Sequence, residues 1–194
     1  MSEIIFQLIY LAGIFVETAI RVPFNRERRK SKIAVNRVDR KETLLLLLLF
    51  LGSYLAPLLK IFTPWLDFAD YTLPVWAGWL GVILLLAAVL LFWRSHVDLG
   101  RNWSPTLQLR EGHALVTEGV YRYIRHPMYA SQWLWVMAQA LLLQNWIAGL
   151  GGIVCFTPFY FMRVAPEEQM MLEKFGEEYR ACMQRTGRLL PRWR

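Results

Sequence analysis

Two short polar segments in the second half of the chain carry the residue types that could do chemistry. The first runs from Gly112 to Tyr121 with His113 near its start, and the second is Arg125-His126-Pro127-Met128-Tyr129. Long apolar runs flank both segments. Histidine, tyrosine and arginine are costly beside hydrocarbon, and they persist there mainly where they bind something. We therefore predict a binding site at the mouth of a membrane protein.

The His126-Pro127 pair has two interpretations. Proline is favoured in the first turn of a helix because its missing N–H would be unpaired there anyway, so the pair could simply begin an apolar helix. The same helix start exposes free N–H groups that suit an anionic carboxylate. Tyr129, Tyr121 and His113 lie near it in sequence. With that company, the helix start would hold a small charged ligand well.

Gly112 and Gly119 bracket the apolar residues Leu115 and Val116. Glycine lets a backbone come close to a flat ligand such as an adenine ring, whose edge main-chain groups can then bind. The segment is a plausible cofactor seat. The alternative is a short turn on the membrane surface, with His113 as an ordinary interfacial histidine.

Arg163 and Glu167 form a third element, one helical turn apart on one face if the helix continues. Pro166 would kink the chain there and aim both side chains inward. The alternative is equally open: Arg163 flanks a membrane span, and Pro166-Glu167-Glu168 resembles the ordinary first turn of a cytosolic helix.

Other catalytic signatures are absent from the sequence. It contains no Gly-x-Ser-x-Gly, no Walker-type loop, no His-Glu-x-x-His and no Cys-x-x-Cys, which leaves hydrolysis and phosphoryl transfer without visible apparatus. The two cysteines, Cys155 and Cys182, do not form a metal spacing with histidine. We expect no metal.

The composition indicates the elements that must position these residues. Of 194 residues, 56% are hydrophobic and only 19% are charged, and the mean hydropathy is +0.29. So much apolar surface exceeds what one soluble core needs and indicates an integral membrane protein. The net charge of +7 lies in short segments between apolar runs, which is typical of cytoplasmic loops and argues against nucleic acid as a partner.

Five apolar segments are long enough, or nearly so, to cross a hydrocarbon core of about 30 Å. Only Gln144-Asn145 separates the last two, which predicts a tight helical hairpin. The segments are Ile4 to Ile20, Thr43 to Phe62, Pro74 to Trp93, Met128 to Leu143 and Trp146 to Met162.

Loop charge predicts the orientation. The segment from Arg21 to Lys41 is rich in Arg and Lys, whereas Thr63 to Leu73 has two aspartates and neither basic residue. Basic loops face the cytoplasm. With five spans the N-terminus then lies outside, and the C-terminus and the candidate site lie on the cytoplasmic side.

The tail from Pro166 is predicted to be a helix over the cytoplasmic mouth, because Met171, Phe175 and Tyr179 recur at helical spacing. Cys182 and Met183 extend the same stripe. The predicted fold is an all-α integral membrane protein of about five transmembrane helices with this cytosolic C-terminal helix. We treat residues 1–194 as one domain, with three N-terminal spans in 1–93 and the chemistry in 94–194.

The combination of motifs resembles the isoprenylcysteine carboxyl methyltransferases. It comprises His-x-Leu-Val-x-x-Gly-x-Tyr at His113 to Tyr121, Arg-His-Pro-x-Tyr at Arg125 to Tyr129, Arg-x-x-x-Glu-Glu at Arg163 to Glu168, and Phe-Gly-Glu-Glu-Tyr at Phe175 to Tyr179. The resemblance covers about residues 94–191. Related phospholipid methyltransferases and reductases share part of it.

The resemblance implies a membrane-embedded enzyme that uses S-adenosyl-L-methionine, seated in a cytosolic pocket. Arg163 would bind the substrate carboxylate, and Arg163 and Glu167 would be the catalytic residues. The chain resembles a short, prokaryotic-like member without the extra N-terminal hairpin of larger relatives. Carried over by motif, the cofactor would contact His113, Ala114, Leu115, Val116, Tyr121, His126, Pro127, Met128, Tyr129 and Glu167, with Gln108 as a further contact.

The expected activity is carboxyl O-methylation of a prenylcysteine-like lipophilic carboxylate presented from the bilayer. Such a substrate is already ionised at neutral pH, with a pKa near about 4, so no general base is required. The alternatives are N-methylation of a phospholipid amine and a non-enzymatic membrane component. A cation at position 163 would attract a carboxylate and repel an ammonium group, which favours the first activity.

Overall fold

The computed structural model describes residues 2–30 and 32–192. Helices make up most of it, together with one pair of short strands. In chain order the elements are α1 (Ser2–Arg29), β1 (Ile33–Asn36), α2 (Arg40–Phe50), α3 (Ala56–Phe62), α4 (Val75–Leu99), β2 (Gln108–Arg110), α5 (Pro127–Leu143), α6 (Gly151–Phe175) and α7 (Glu177–Arg185).

Three helical stretches are long and apolar enough to cross a membrane: Glu3–Arg29, Arg40–Phe62 and Val75–Asn102. They coincide with the first three predicted spans. Each exposes many large apolar side chains, as a lipid-facing helix must. Crossings by α5 and α6, which would bring the count to five, stay a prediction.

The second stretch begins at a capped end and contains an irregular turn. The Asp39 side chain accepts a hydrogen bond from the backbone N–H of Glu42 at 2.8 Å, a typical helix N-cap. Residues Leu51–Leu55 form one turn of π-helix between α2 and α3. The Gln139 amide of α5 donates to the Gly52 carbonyl at 2.8 Å, and the Tyr10 hydroxyl of α1 donates to the Ser53 carbonyl at 3.0 Å.

Helix α5 lies at the centre of the bundle and packs against α1, α4 and α6, with α4 as its most extensive neighbour. Aromatic and aliphatic side chains from all these helices fill the core. Among its fully buried members are Tyr10 of α1, Ala88 of α4, Val136 of α5 and Phe156 of α6.

The connection between α5 and α6 is longer than the sequence predicted. The chain leaves α5 at Gln144 in a left-handed conformation, with φ 46°, and α6 begins only at Gly151. Asn145 closes this turn by donating its amide to the Leu66 carbonyl and to Asp70, each at 2.7 Å. The predicted span from Trp146 therefore starts as a turn.

The prediction of a separate tail helix starting at Pro166 is wrong. Helix α6 runs without interruption through Pro158 and Pro166 to Phe175. The break falls at Gly176, whose φ of 51° is a left-handed value that favours glycine. The apolar stripe from Met171 to Met183 is thus divided between α6 and α7.

A small antiparallel pair of β1 and β2 departs from the predicted all-α fold. It joins the basic segment after α1 to the segment after α4, with Asn36 opposite Gln108. Short strands of this length give little periodicity in a sequence.

Candidate functional site

A cavity of about 230 Å³ lies where the loops after α4, the start of α5 and the end of α6 meet. Every residue that the motifs assigned to a cofactor lines it, and so does Arg163. The structure therefore brings the predicted site residues together, while their individual roles remain predictions. They are Gln108, His113, Ala114, Leu115, Val116, Tyr121, His126, Pro127, Met128, Tyr129 and Glu167.

The segment after α4 forms one wall. The backbone N–H of Ala114 donates to the Asn102 side chain at 3.1 Å, which fixes the segment. Burial, together with nearby Lys174, lowers the pKa of His113 to about 4, although Glu167 opposes this shift. His113 is therefore neutral at physiological pH. Burial also raises the pKa of Tyr121, so its phenol keeps its proton.

The glycines of this segment do not act as the sequence suggested, because neither Gly112 nor Gly119 lines the cavity. At Gly119, with φ 57°, a Cβ would lie 2.0 Å from a carboxylate oxygen of Asp98. That carboxylate accepts a hydrogen bond from the Val120 N–H at 2.8 Å. Gly119 thus makes room for Asp98, which fixes the turn that presents Tyr121.

The start of α5 forms the opposite wall. Pro127 stands in the first turn, and no side chain caps that helix end. Met128 and Tyr129, on the same turn, line the cavity. The backbone before it is held by the tail, since Arg125 and His126 donate their N–H groups to the carbonyls of Gly187 and Arg188, each at 3.0 Å.

Glu167 faces the cavity. Its carboxylate accepts a hydrogen bond from the Tyr129 hydroxyl at 2.5 Å, and it lies 3.8 Å from Nε of Arg163. Nδ1 of His126 is 3.8 Å from its other oxygen. The predicted inward pairing of Arg163 and Glu167 on one helix face is present in the structure.

Glu168, the next residue, is buried in a separate cluster. Its carboxylate accepts hydrogen bonds from Arg125 at 2.9 Å and from Arg188 at 2.6 Å, and His126 Nε2 lies at 3.3 Å. Burial alone would raise the pKa of Glu168, but these three partners outweigh it and hold the pKa well below its usual range. Glu168 ties α6 to the loop before α5 and to the tail.

Arg163 is 6% exposed and held by several partners. Its Nη1 donates to the Pro105 carbonyl at 2.8 Å and lies 3.4 Å from Glu42. The guanidinium also sits over the Phe159 ring, 5.1 Å from its centroid. An arginine held in this way is well placed to present its remaining N–H groups to an anion.

The first half of the chain contributes more to the site than the sequence indicated. Arg21 of α1 lines the cavity and forms an ion pair with Glu17 at 2.6 Å. Helices α2 and α4 add the apolar side chains of Leu46, Leu49 and Phe92. An arginine near the end of an apolar run reads as a positive-inside flank, and leucines read as lipid-facing, so no sequence signal separates these residues.

Comparisons with known proteins match the same region. Residues 79–173 match the model of the isoprenylcysteine carboxyl methyltransferase family. The chain is 29% identical over 118 residues to protein-S-isoprenylcysteine O-methyltransferase B of Arabidopsis thaliana, with 60% of each chain covered. The human protein-S-isoprenylcysteine O-methyltransferase is 26% identical over 170 residues, which cover 83% of this chain and 60% of that protein.

The fold has a solved counterpart. The structure of a eukaryotic intramembrane Ras methyltransferase, the isoprenylcysteine carboxyl methyltransferase, superposes with a TM-score of 0.53 at 24% identity. It covers 81% of this chain and 54% of the solved one. The chain spans about three fifths or less of the length of these relatives. The family resemblance of the motifs is confirmed.

Proposed function

We propose that this chain, whose residues 79–173 belong to the isoprenylcysteine carboxyl methyltransferase family, is an S-adenosylmethionine-dependent carboxyl O-methyltransferase. The acceptor we propose is a prenylcysteine-like lipophilic carboxylate. The observation that carries the proposal is one cavity in which Arg163 and Glu167 of α6 meet the exposed start of α5 at Met128 and Tyr129.

The described residues fit a nucleoside-bearing cofactor. Leu115, Val116 and Met170 supply an aliphatic wall for a flat base, and neutral His113 can exchange a hydrogen bond with its edge. The uncapped first turn of α5 offers N–H groups to an anionic carboxylate. The Glu167 carboxylate can accept from hydroxyl or ammonium donors.

When bound, S-adenosylmethionine supplies a methyl group on a sulfonium centre, which an ionised carboxylate displaces in line. The protein has no proton to remove, because a carboxylic acid of ordinary pKa near about 4 is ionised at neutral pH. Its own contribution is to hold the acceptor and exclude water. Arg163 can bind the carboxylate without losing its own proton.

The acceptor's oily part would lie against the apolar wall that Leu46, Leu49 and Phe92 provide. These residues belong to helices long enough to cross a membrane, so the hydrocarbon chain can remain close to the bilayer. We further propose five spans, with the N-terminus outside and the cavity on the cytoplasmic side. The Arg- and Lys-rich segments around the cavity support that orientation.

Radiolabelled methyl transfer to a panel of lipophilic acids and lipophilic amines tests this function. We expect labelled product from the acids only, and the product should be released by base, as a methyl ester is. Labelled base-stable product from amines would contradict the proposal. Titration calorimetry with the demethylated cofactor should show saturable binding, which a non-enzymatic membrane component would lack.

Arg163→Ala tests the acceptor assignment within the same assay. We expect kcat/KM for the acid acceptor to fall by about two orders of magnitude, as loss of a desolvated charge partner does. Arg180→Ala, at an exposed ion pair with Glu177, is the matched control and should leave activity unchanged. Full activity of Arg163→Ala on an amine acceptor would reject carboxyl methylation.

A further inference from the structure

Glu42 is a buried carboxylate that neither the motifs nor the matched segment 79–173 includes. It stands in the first turn of α2, directly before the apolar run of that helix, yet it is only 3% exposed. The Asp39 cap binds its backbone N–H. The point from which the Glu42 side chain starts is therefore fixed by the helix start itself.

The carboxylate of Glu42 joins two parts of the site. Its Oε1 accepts a hydrogen bond from the Leu107 backbone N–H at 2.8 Å and lies 3.4 Å from Nη1 of Arg163. Its Oε2 is buried and has no hydrogen-bond partner among residues 2–30 and 32–192. Burying a carboxylate is costly unless it is paired, so this contact with Arg163 is unusual for a membrane helix.

The contact decides which side of the Arg163 guanidinium is occupied. Nη1 is engaged by Glu42 and by the Pro105 carbonyl, while Nε lies toward Glu167 at 3.8 Å. Nη2 makes no hydrogen bond within the described part of the chain, and Arg163 lines the cavity. With Nη1 fixed, the long side chain presents one defined edge instead of sampling several rotamers.

We propose that Glu42 is a positioning residue, which holds Nη1 of Arg163 so that the free edge of the guanidinium faces the acceptor carboxylate. The inference rests on the proposed methyl transfer. It assigns the orientation of the acceptor to a residue of the first half of the chain. Glu42 acts as a hydrogen-bond acceptor here, so an amide oxygen at the same place should serve as well.

Kinetics of Glu42→Ala and Glu42→Gln test the proposal. For Glu42→Ala we expect the acceptor KM to rise about tenfold or more while the cofactor KM stays within about twofold, because only Arg163 has lost its support. Glu42→Gln should keep both values within about threefold of the wild type. Glu27→Ala is the matched control, since Glu27 forms an exposed pair with Lys30 on α1.

A double-mutant cycle separates positioning from a purely structural role. Glu42→Ala is repeated in the background of Arg163→Lys, where no fork remains to be oriented. We expect the effect on acceptor KM to shrink to about twofold or less in that background. An equal effect in both backgrounds, or an equal rise of cofactor KM, would overturn the proposal.

Folding is followed by size-exclusion chromatography and thermal unfolding in detergent. If Glu42→Ala yields no monodisperse protein, Glu42→Asp replaces it, because the charge stays but the carboxylate is one bond shorter. It should show the same selective rise in acceptor KM, and wild-type values would overturn the inference. A wild-type protein that methylates no carboxylate would instead reject the proposed function itself.

Discussion

Glu167 and Glu168 are neighbours in sequence and lie in opposite surroundings. Successive residues of a helix point about 100° apart, so one side chain reaches the cavity while the next reaches the tail. Glu167 meets Tyr129 and Arg163, whereas Glu168 meets Arg188. The motif marks both acids, and only the contacts separate a ligand-facing carboxylate from one that holds the tail.

Exchanging each acid for its amide should separate the two roles. For Glu167→Gln we expect cofactor affinity or turnover to fall more than about tenfold with thermal stability little changed. For Glu168→Gln we expect the reverse pattern, a lower melting temperature, since three donors lose their charged acceptor. Calorimetric binding and thermal unfolding measure the pair, and identical profiles would contradict this division of roles.

His113 predicts a dependence of stability on pH. Its pKa is about 4 in the folded chain, against about 6.5 for an unperturbed histidine. Between these values the unfolded state binds more protons, so the free energy of unfolding falls as the pH is lowered from about 6.5 to 4.

His113→Gln removes this titration, and its melting temperature should drop less than that of the wild type between pH 7 and pH 5. Tyr123→Phe, at an exposed site, serves as a control that keeps the wild-type pH profile. A variant whose pH profile equals the wild-type one would show that His113 is not responsible.

The residues of the site divide by how far sequence alone could predict them. The motif residues from His113 to Tyr129 were found because their polar types stand out beside apolar runs. Glu42 and Asp98 were missed, because an acid at the first turn of a helix or near its end has an ordinary explanation in the helix dipole or an interfacial pair. Their contacts with Arg163 and Val120 bridge long sequence separations.

At the scale of elements, the three long apolar helices followed from composition, and the irregular ones did not. The uninterrupted α6 tolerates Pro158 and Pro166 because packing and neighbouring helices can replace a missing backbone hydrogen bond. The π-helical turn Leu51–Leu55 likewise depends on partners from α1 and α5. Neither leaves a local pattern in the sequence.

Gln139→Leu tests the support of that turn. The Gln139 amide donates to the carbonyls of Gly52 and Ala148, at 2.8 and 2.6 Å, and is fully buried. A leucine leaves both carbonyls without this donor, so we expect a loss of about 1–3 kcal/mol in the free energy of unfolding. Denaturant unfolding in detergent measures it, with the exposed Gln184→Leu as control. Unchanged stability would show that the amide does not support the turn.

At the scale of the whole molecule, the orientation in the membrane is open to direct measurement. Thr72 is exposed in the segment between α3 and α4, and Arg180 is exposed on α7. We expect an impermeant thiol reagent to label Thr72→Cys in intact cells, and Arg180→Cys only after permeabilisation. The wild-type chain, with Cys155 and Cys182, gives the background. Labelling of both sites from one side would reject the five-span arrangement.

The cavity draws walls from both halves of the chain, through Arg21, Leu46 and Phe92 as well as the segment from Gln108 onward. A chimaera that grafts residues 94–194 onto the leading helices of a distant homologue would exchange half of the binding surface at the same time. Swapping those leading helices alone is therefore the way to alter which acceptors such an enzyme takes, with the methyl-donor side left untouched.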